Sequence, residues 1–128
     1  MSAQSQHIYV VDDEASAREL VGDYFTLHGF TVTLCEGGAR LRKELAHKIP
    51  DLIVLDLNMP KMDGREFVRH LRTMPDMDRV PVLMVTTHAE RNDVVLALQA
   101  GVNDYVVKPF TPELLQEKIA SLAVKVRA

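Results

Sequence analysis

Asp12 and Asp13 close the apolar run Ile8-Tyr9-Val10-Val11, and Asp56 closes Leu52-Ile53-Val54-Leu55. Runs this short and this rich in branched side chains fit buried strands of a parallel sheet, whose last residues emerge together at one edge. Carboxylates gathered there repel and raise one another's pKa unless a cation joins them. Hard oxygen ligands with room for water favour Mg²⁺, with Mn²⁺ as an acceptable substitute. Two further strand-like runs end in Thr86 and Lys108, adding a hydroxyl and an ammonium to the same edge. Together these groups can handle a phosphoryl group. Taken singly, Asp12-Asp13-Glu14 would suit the positive end of a helix dipole, and Asp56 would be an acid before the Met59-Pro60 turn. It is the set of five that points to chemistry.

The elements that must position them alternate. Strands are predicted over His7–Val11, Thr31–Cys35, Leu52–Asp56, Val80–Thr86 and Asp104–Val107. Between them, helical spacing runs over Ala15–His28 (Leu20, Val21, Tyr24, Phe25, Leu27) and Ala39–Lys48 (Leu41, Leu45, then Ile49). A third helix follows Asp63-Gly64 (Phe67, Val68, Leu71), and a fourth covers Glu90–Ala100 with Val94, Val95 and Leu98 expected inward. Thr111 and Pro112 open a last helix towards Arg127, and Gly29 and Gly101 are helix stops. Arg40, Arg42, Lys43 and Lys48 are expected to form a solvated face. Five such alternations predict an α/β fold with a doubly wound parallel sheet of order 2-1-3-4-5 flanked by five helices. That order makes the first and third strands neighbours, bringing Asp12, Asp13 and Asp56 together.

Bulk composition narrows the function. The chain has 128 residues, enough for one domain with a real core, and residues 1–128 are expected to be that single domain. Acids exceed bases by 18 to 15, which argues against direct nucleic-acid binding. Cys35, the only cysteine, ends an apolar run and is expected to be a buried inert thiol. No stretch resembles a signal peptide or membrane span, so a cytoplasmic protein without membrane contact is expected. His7, His28, His47 and His70 show no metal-ligand spacing.

Three stretches in order, Asp56-Leu57-Asn58-Met59-Pro60-Lys61-Met62-Asp63-Gly64, Val85-Thr86 and Tyr105-Val106-Val107-Lys108-Pro109-Phe110, closely resemble the receiver domain of two-component response regulators. The likeness extends from Ile8 to the final helix and implies a flavodoxin-like fold. It implies that Asp56 is the phosphoacceptor, charged by a sensor histidine kinase or a phosphotransfer protein. Asp13 and Asp56 would be direct Mg²⁺ ligands, Asp12 would act largely through water, and Asn58 would offer its backbone carbonyl. Lys108 would pair with Asp56 and then with the phosphoryl group. The Thr86 hydroxyl would move towards that group, and Tyr105 would rotate into the vacated space, switching a helix 4, strand 5 and helix 5 surface towards a downstream protein partner. Such a chain would be a monomer or a weak phosphorylation-dependent dimer, with Asp104 and Lys118 as candidates for the pairing surface. It would be a switch that promotes its own phosphotransfer and dephosphorylation rather than an enzyme proper.

Two positions depart from the commonest pattern of that family. Thr87 stands where a small residue is usual and is expected to narrow access to Asp56. His88 stands where hydrolytic lifetime is tuned, as does Asn58. Arg18–Val32 looks more like transcription-factor receivers, and Leu96–Phe110 more like chemotaxis receivers. The alternatives are a pseudo-receiver that binds without phosphate and a haloacid-dehalogenase-like phosphatase. The phosphatase generally needs an aspartate two residues after its nucleophile, and position 58 is asparagine.

Overall fold

Side chains alternate across each strand, so one apolar run feeds two cores. The computed structural model describes residues 6–57, 59, 63–87 and 91–127, without the side chains of Arg91 and residues 123–127. Strands β1 (His7–Val11), β2 (Thr31–Cys35), β3 (Leu52–Asp56), β4 (Val82–Thr86) and β5 (Asp104–Val107) form one parallel sheet in the order β2-β1-β3-β4-β5. The helices are α1 (Ala15–Leu27), α2 (Gly38–Leu45), α3 (Gly64–Leu71), α4 (Arg91–Ala100) and α5 (Pro112–Arg127). Tyr9, Val11, Ile53, Leu55 and Met84 meet Leu41, Phe67, Val68 and Ala97 from α2, α3 and α4. Val10, Val54, Leu83 and Val85 meet Phe25, Leu115 and Leu122 from α1 and α5 on the other face. Each large side chain buried this way contributes roughly 1.5–3 kcal/mol. Among the described residues no helix is long and apolar enough to cross a membrane.

The expected helix signals act as they should. Asp63 accepts from the Arg65 and Glu66 amides at 3.1 and 3.3 Å, and Thr111 Oγ1 accepts from the Leu114 amide at 3.2 Å. Gly29 and Gly101 follow α1 and α4 with φ of 89° and 119°. Cys35 is fully buried as expected, and burial pushes its thiol up to about 11, which disfavours the reactive thiolate. Arg40, Arg42, Lys43 and Lys48 are all exposed.

Several apolar residues turn outward instead. On α4, Val95 and Leu98 are exposed, and the inward positions are Ala97 and Ala100, with Val94 half-buried. Small side chains let that helix lie close to the sheet and leave its larger ones on the flank. On α1, Leu20 and Leu27 are exposed while Gly22 and Phe25 are buried. A Cβ on Gly22 would lie 2.7 Å from Leu34 Cδ2, so glycine sets the approach of α1 to β2. Helix α2 ends at Leu45, before Lys48, and Ile49 is exposed. Strand β4 starts at Val82, because Pro81 has no amide to donate to a ladder, although its carbonyl accepts from Ile53.

His7 begins β1, at the edge of the sheet opposite the acids. Its ring packs edge-on against Tyr9 with centroids 4.9 Å apart, and Nε2 shares a 2.7 Å hydrogen bond with Thr33 Oγ1. Its Nδ1 is buried with no hydrogen-bond partner among the described residues. Burial, then the Lys48 charge, hold its pKa below the ordinary 6.5 against the opposing pull of Asp51 and Glu44. Below 6.5 the unfolded chain therefore takes up a proton that the folded chain refuses. Stability is complete above that pH and declines as pH falls through the window beneath it. His7→Gln should flatten this decline when urea midpoints are compared at about pH 7.5 and about pH 5.5. An equally steep decline in the variant would assign it to other groups.

Candidate functional site

Register builds the site. Val11 lies opposite Leu55, so Asp12 and Asp56 each stand one step beyond a paired position on neighbouring strands. Asp56 pairs with Val85 and Thr86 pairs with Val107, which sets Thr86 and then Lys108 progressively further along the same edge. Asp12, Asp56 and Thr86 are the buried polar residues of the described chain, at 5%, 4% and 3% exposure. Each would be costly there without partners.

The partners are close. Lys108 Nζ lies 3.3 Å from Asp12 Oδ2 and 3.4 Å from Asp56 Oδ2, bridging the two carboxylates. Burial works to lower the lysine pKa, but the Asp56 and Asp12 charges outweigh it and hold the ammonium above its ordinary value. Asp12 Oδ1 accepts from the Glu14 amide at 3.0 Å. Exposed Asp13 completes the group: one carboxylate oxygen from each of Asp12, Asp13 and Asp56 lies within 4.8 Å of the others. One lysine cannot neutralise three carboxylates, and oxygens at this separation fit a hard divalent cation that keeps some of its water. Glu14 points elsewhere, accepting from Ser16 Oγ at 3.2 Å, and belongs to the helix start.

The fold therefore brings Asp12, Asp13, Asp56, Thr86 and Lys108 to one edge, as the sequence predicts. Thr87 follows on the exposed rim. Tyr105 is half-buried on β5 against the α3/α4-side core, and its ring carries Lys118 Nζ at 5.4 Å from the centroid. Lys118 also pairs with Asp104 of its own chain at 3.2 Å. Asn58 and His88 lie outside the described residues. Sequence reading missed Arg18, whose Nη1 donates to the Asp12 carbonyl at 2.8 Å and ties α1 to the acidic loop. Its position one helical turn into α1 was the available signal.

Known proteins bear on this site. The chain is 38% identical over 122 residues to a probable transcriptional regulator ycf27 of Pyropia yezoensis, a match covering 95% of this chain but 49% of that protein. It thus spans about half the length of that relative. It is 39% identical over 120 residues to the chemotaxis protein CheY of Pseudomonas aeruginosa, covering 93% of this chain and 97% of the other. The solved structure of Vibrio cholerae chemotaxis protein CheY4 superposes with a TM-score of 0.89 at 28% identity, over 93% of this chain and 99% of that one. With residues 8–120 matching the response regulator receiver domain, the chain belongs to that family.

Proposed function

We propose that Asp56 accepts a phosphoryl group from a phosphohistidine of a sensor kinase or phosphotransfer protein, and that the resulting charge switches a surface read by a protein partner. The observation that carries this reading is the Lys108 ammonium lodged 3.3 and 3.4 Å from two buried carboxylates. An Asp56 oxygen forms the new bond to phosphorus while the phosphorus–nitrogen bond breaks and its electron pair returns to the imidazole. A carboxylate is a weak nucleophile, so positioning and charge neutralisation carry the rate. Asp12, Asp13 and Asp56 would hold Mg²⁺ together with Asn58, and the ion when bound supplies neutralisation of the phosphoryl oxygens. Lys108 exchanges its carboxylate partner for a phosphoryl oxygen.

Phosphorylation adds roughly −1.5 to −2 charges, which draws the Thr86 hydroxyl towards the site. Tyr105, half-buried on the neighbouring strand opposite Met84, follows. Exposed Val95, Leu96 and Leu98 on α4 and Leu114 on α5 supply apolar area for a partner on that side. The equilibrium shifts only by the differential stabilisation of the active packing. His88 and Asn58 tune the lifetime of the phosphorylated form.

Incubation with Mg²⁺ and a small phosphodonor, followed by intact mass, tests the reading. A gain of one phosphoryl group that requires Mg²⁺ is expected. A folded protein that binds Mg²⁺ and gains nothing would favour the pseudo-receiver. Thr87→Ala should raise the rate of uptake by about threefold or more if side-chain bulk on the rim limits access. An unchanged rate would make Thr87 incidental.

A further inference from the structure

Beside the acids, the carboxyl edge of the sheet opens into a cavity of about 440 Å³. Val10, Val54 and Val85 of three adjacent strands line one side of it, and Ala17 and Leu20 of α1 line another. Asp12, Asp56, Thr87 and Lys108 form its polar end, so the cavity and the proposed phosphoacceptor share one opening. The volume lies in the range of small-molecule sites, and an apolar body with a few converging polar groups at one end is their usual build. Leu20, which lines it from α1, is 73% exposed and adds apolar surface at its solvent side.

We infer that this cavity selects the phosphodonor, favouring small acyl phosphates whose acyl chain is apolar. The inference rests on Asp56 being the phosphoacceptor. The charges suit such a molecule: the phosphoryl group meets Lys108 and the metal-binding acids, and the chain leaves water for the apolar space lined by Leu20, Val21, Pro109 and Phe110, over a floor of buried valines. In the transfer, an Asp56 oxygen bonds to phosphorus and the bond from phosphorus to the acyl oxygen breaks. The electron pair leaves with that oxygen, giving a free carboxylate and aspartyl phosphate with no proton or further reactant. A donor with no chain gains nothing from the cavity, whereas each buried methylene is worth about three- to fourfold in binding.

The test is the rate of phosphoryl uptake at sub-saturating donor, read by intact mass, for phosphoramidate and for acetyl, butyryl and hexanoyl phosphate. The three acyl donors have leaving groups of nearly equal acidity, so their intrinsic reactivity is even. Butyryl phosphate should react about tenfold faster than acetyl phosphate. Ala17→Leu, which fills the cavity, and Leu20→Gln, which makes its lip polar, should each shrink that ratio while leaving the phosphoramidate rate unchanged. A flat or falling series with active phosphoramidate would overturn the inference, leave Asp56 as phosphoacceptor, and give the cavity to a protein partner. Failure of every donor, phosphoramidate included, would remove the phosphoacceptor reading and this inference with it.

Discussion

Asp56→Asn is expected to lower phosphoryl uptake by at least about 10³-fold while leaving the protein folded. The amide oxygen that replaces the carboxylate is neutral and forms no stable phosphoryl ester, so the loss is in chemistry rather than affinity alone. The fold should survive because Asp56 is one of three clustered carboxylates served by a single lysine. Removing one relieves repulsion. Unfolding midpoints at neutral pH should therefore hold or rise in the variant, and this separates a missing nucleophile from a damaged structure. Residual uptake near the wild-type rate would move the phosphoacceptor to another residue.

Arg72→Ala should destabilise the fold by about 2–4 kcal/mol in urea unfolding at neutral pH. Its guanidinium donates to the carbonyls of Met77 and Val80, both at 2.6 Å, to the Gly101 carbonyl at 2.8 Å and to Asn103 Oδ1 at 2.9 Å. One side chain thereby ties the end of α3, the entry to β4 and the entry to β5. Burial lowers its pKa from the ordinary guanidinium value, with the Asp78 charge pulling the other way. Gly101 is moulded around it: with φ at 119°, a Cβ there would sit 2.9 Å from Arg72 Cγ. Arg72→Lys should recover only part of the loss, since one ammonium cannot span the same acceptors. A cost under about 1 kcal/mol for the alanine variant would show that water replaces these bonds freely.

The alternation of apolar runs and helical stripes made the strand order legible, and with it the meeting of Asp12, Asp13, Asp56, Thr86 and Lys108. The carboxyl ends of the strands follow directly from where each run stops. Which helix flank finds cover does not. Leu20 and Leu27 have the spacing of core residues, yet the contact of Gly22 with Leu34 rotates α1 so that they face outward. Likewise α4 packs through Ala97 and Ala100, which carry little apolar signal of their own. The anchoring roles of Arg72 and His7 were not legible because several of their partners lie far along the chain, at Gly101, Asn103 and Thr33. The mixed character of the two halves has a simpler aspect once relatives are compared. A regulator of the transcriptional kind and one of the chemotaxis kind each match 93% or more of the chain, so each likeness runs through both halves.

The central claim is that a covalent phosphoryl group comes to rest on Asp56. Borohydride reduction after incubation with Mg²⁺ and phosphodonor converts an aspartyl phosphate to homoserine, and peptide sequencing by mass spectrometry then reads its position. Homoserine at position 56, found only when donor and Mg²⁺ were both present, is the predicted result. Homoserine at position 12, 13 or 51, or none in a folded protein that retains Mg²⁺, would contradict the account.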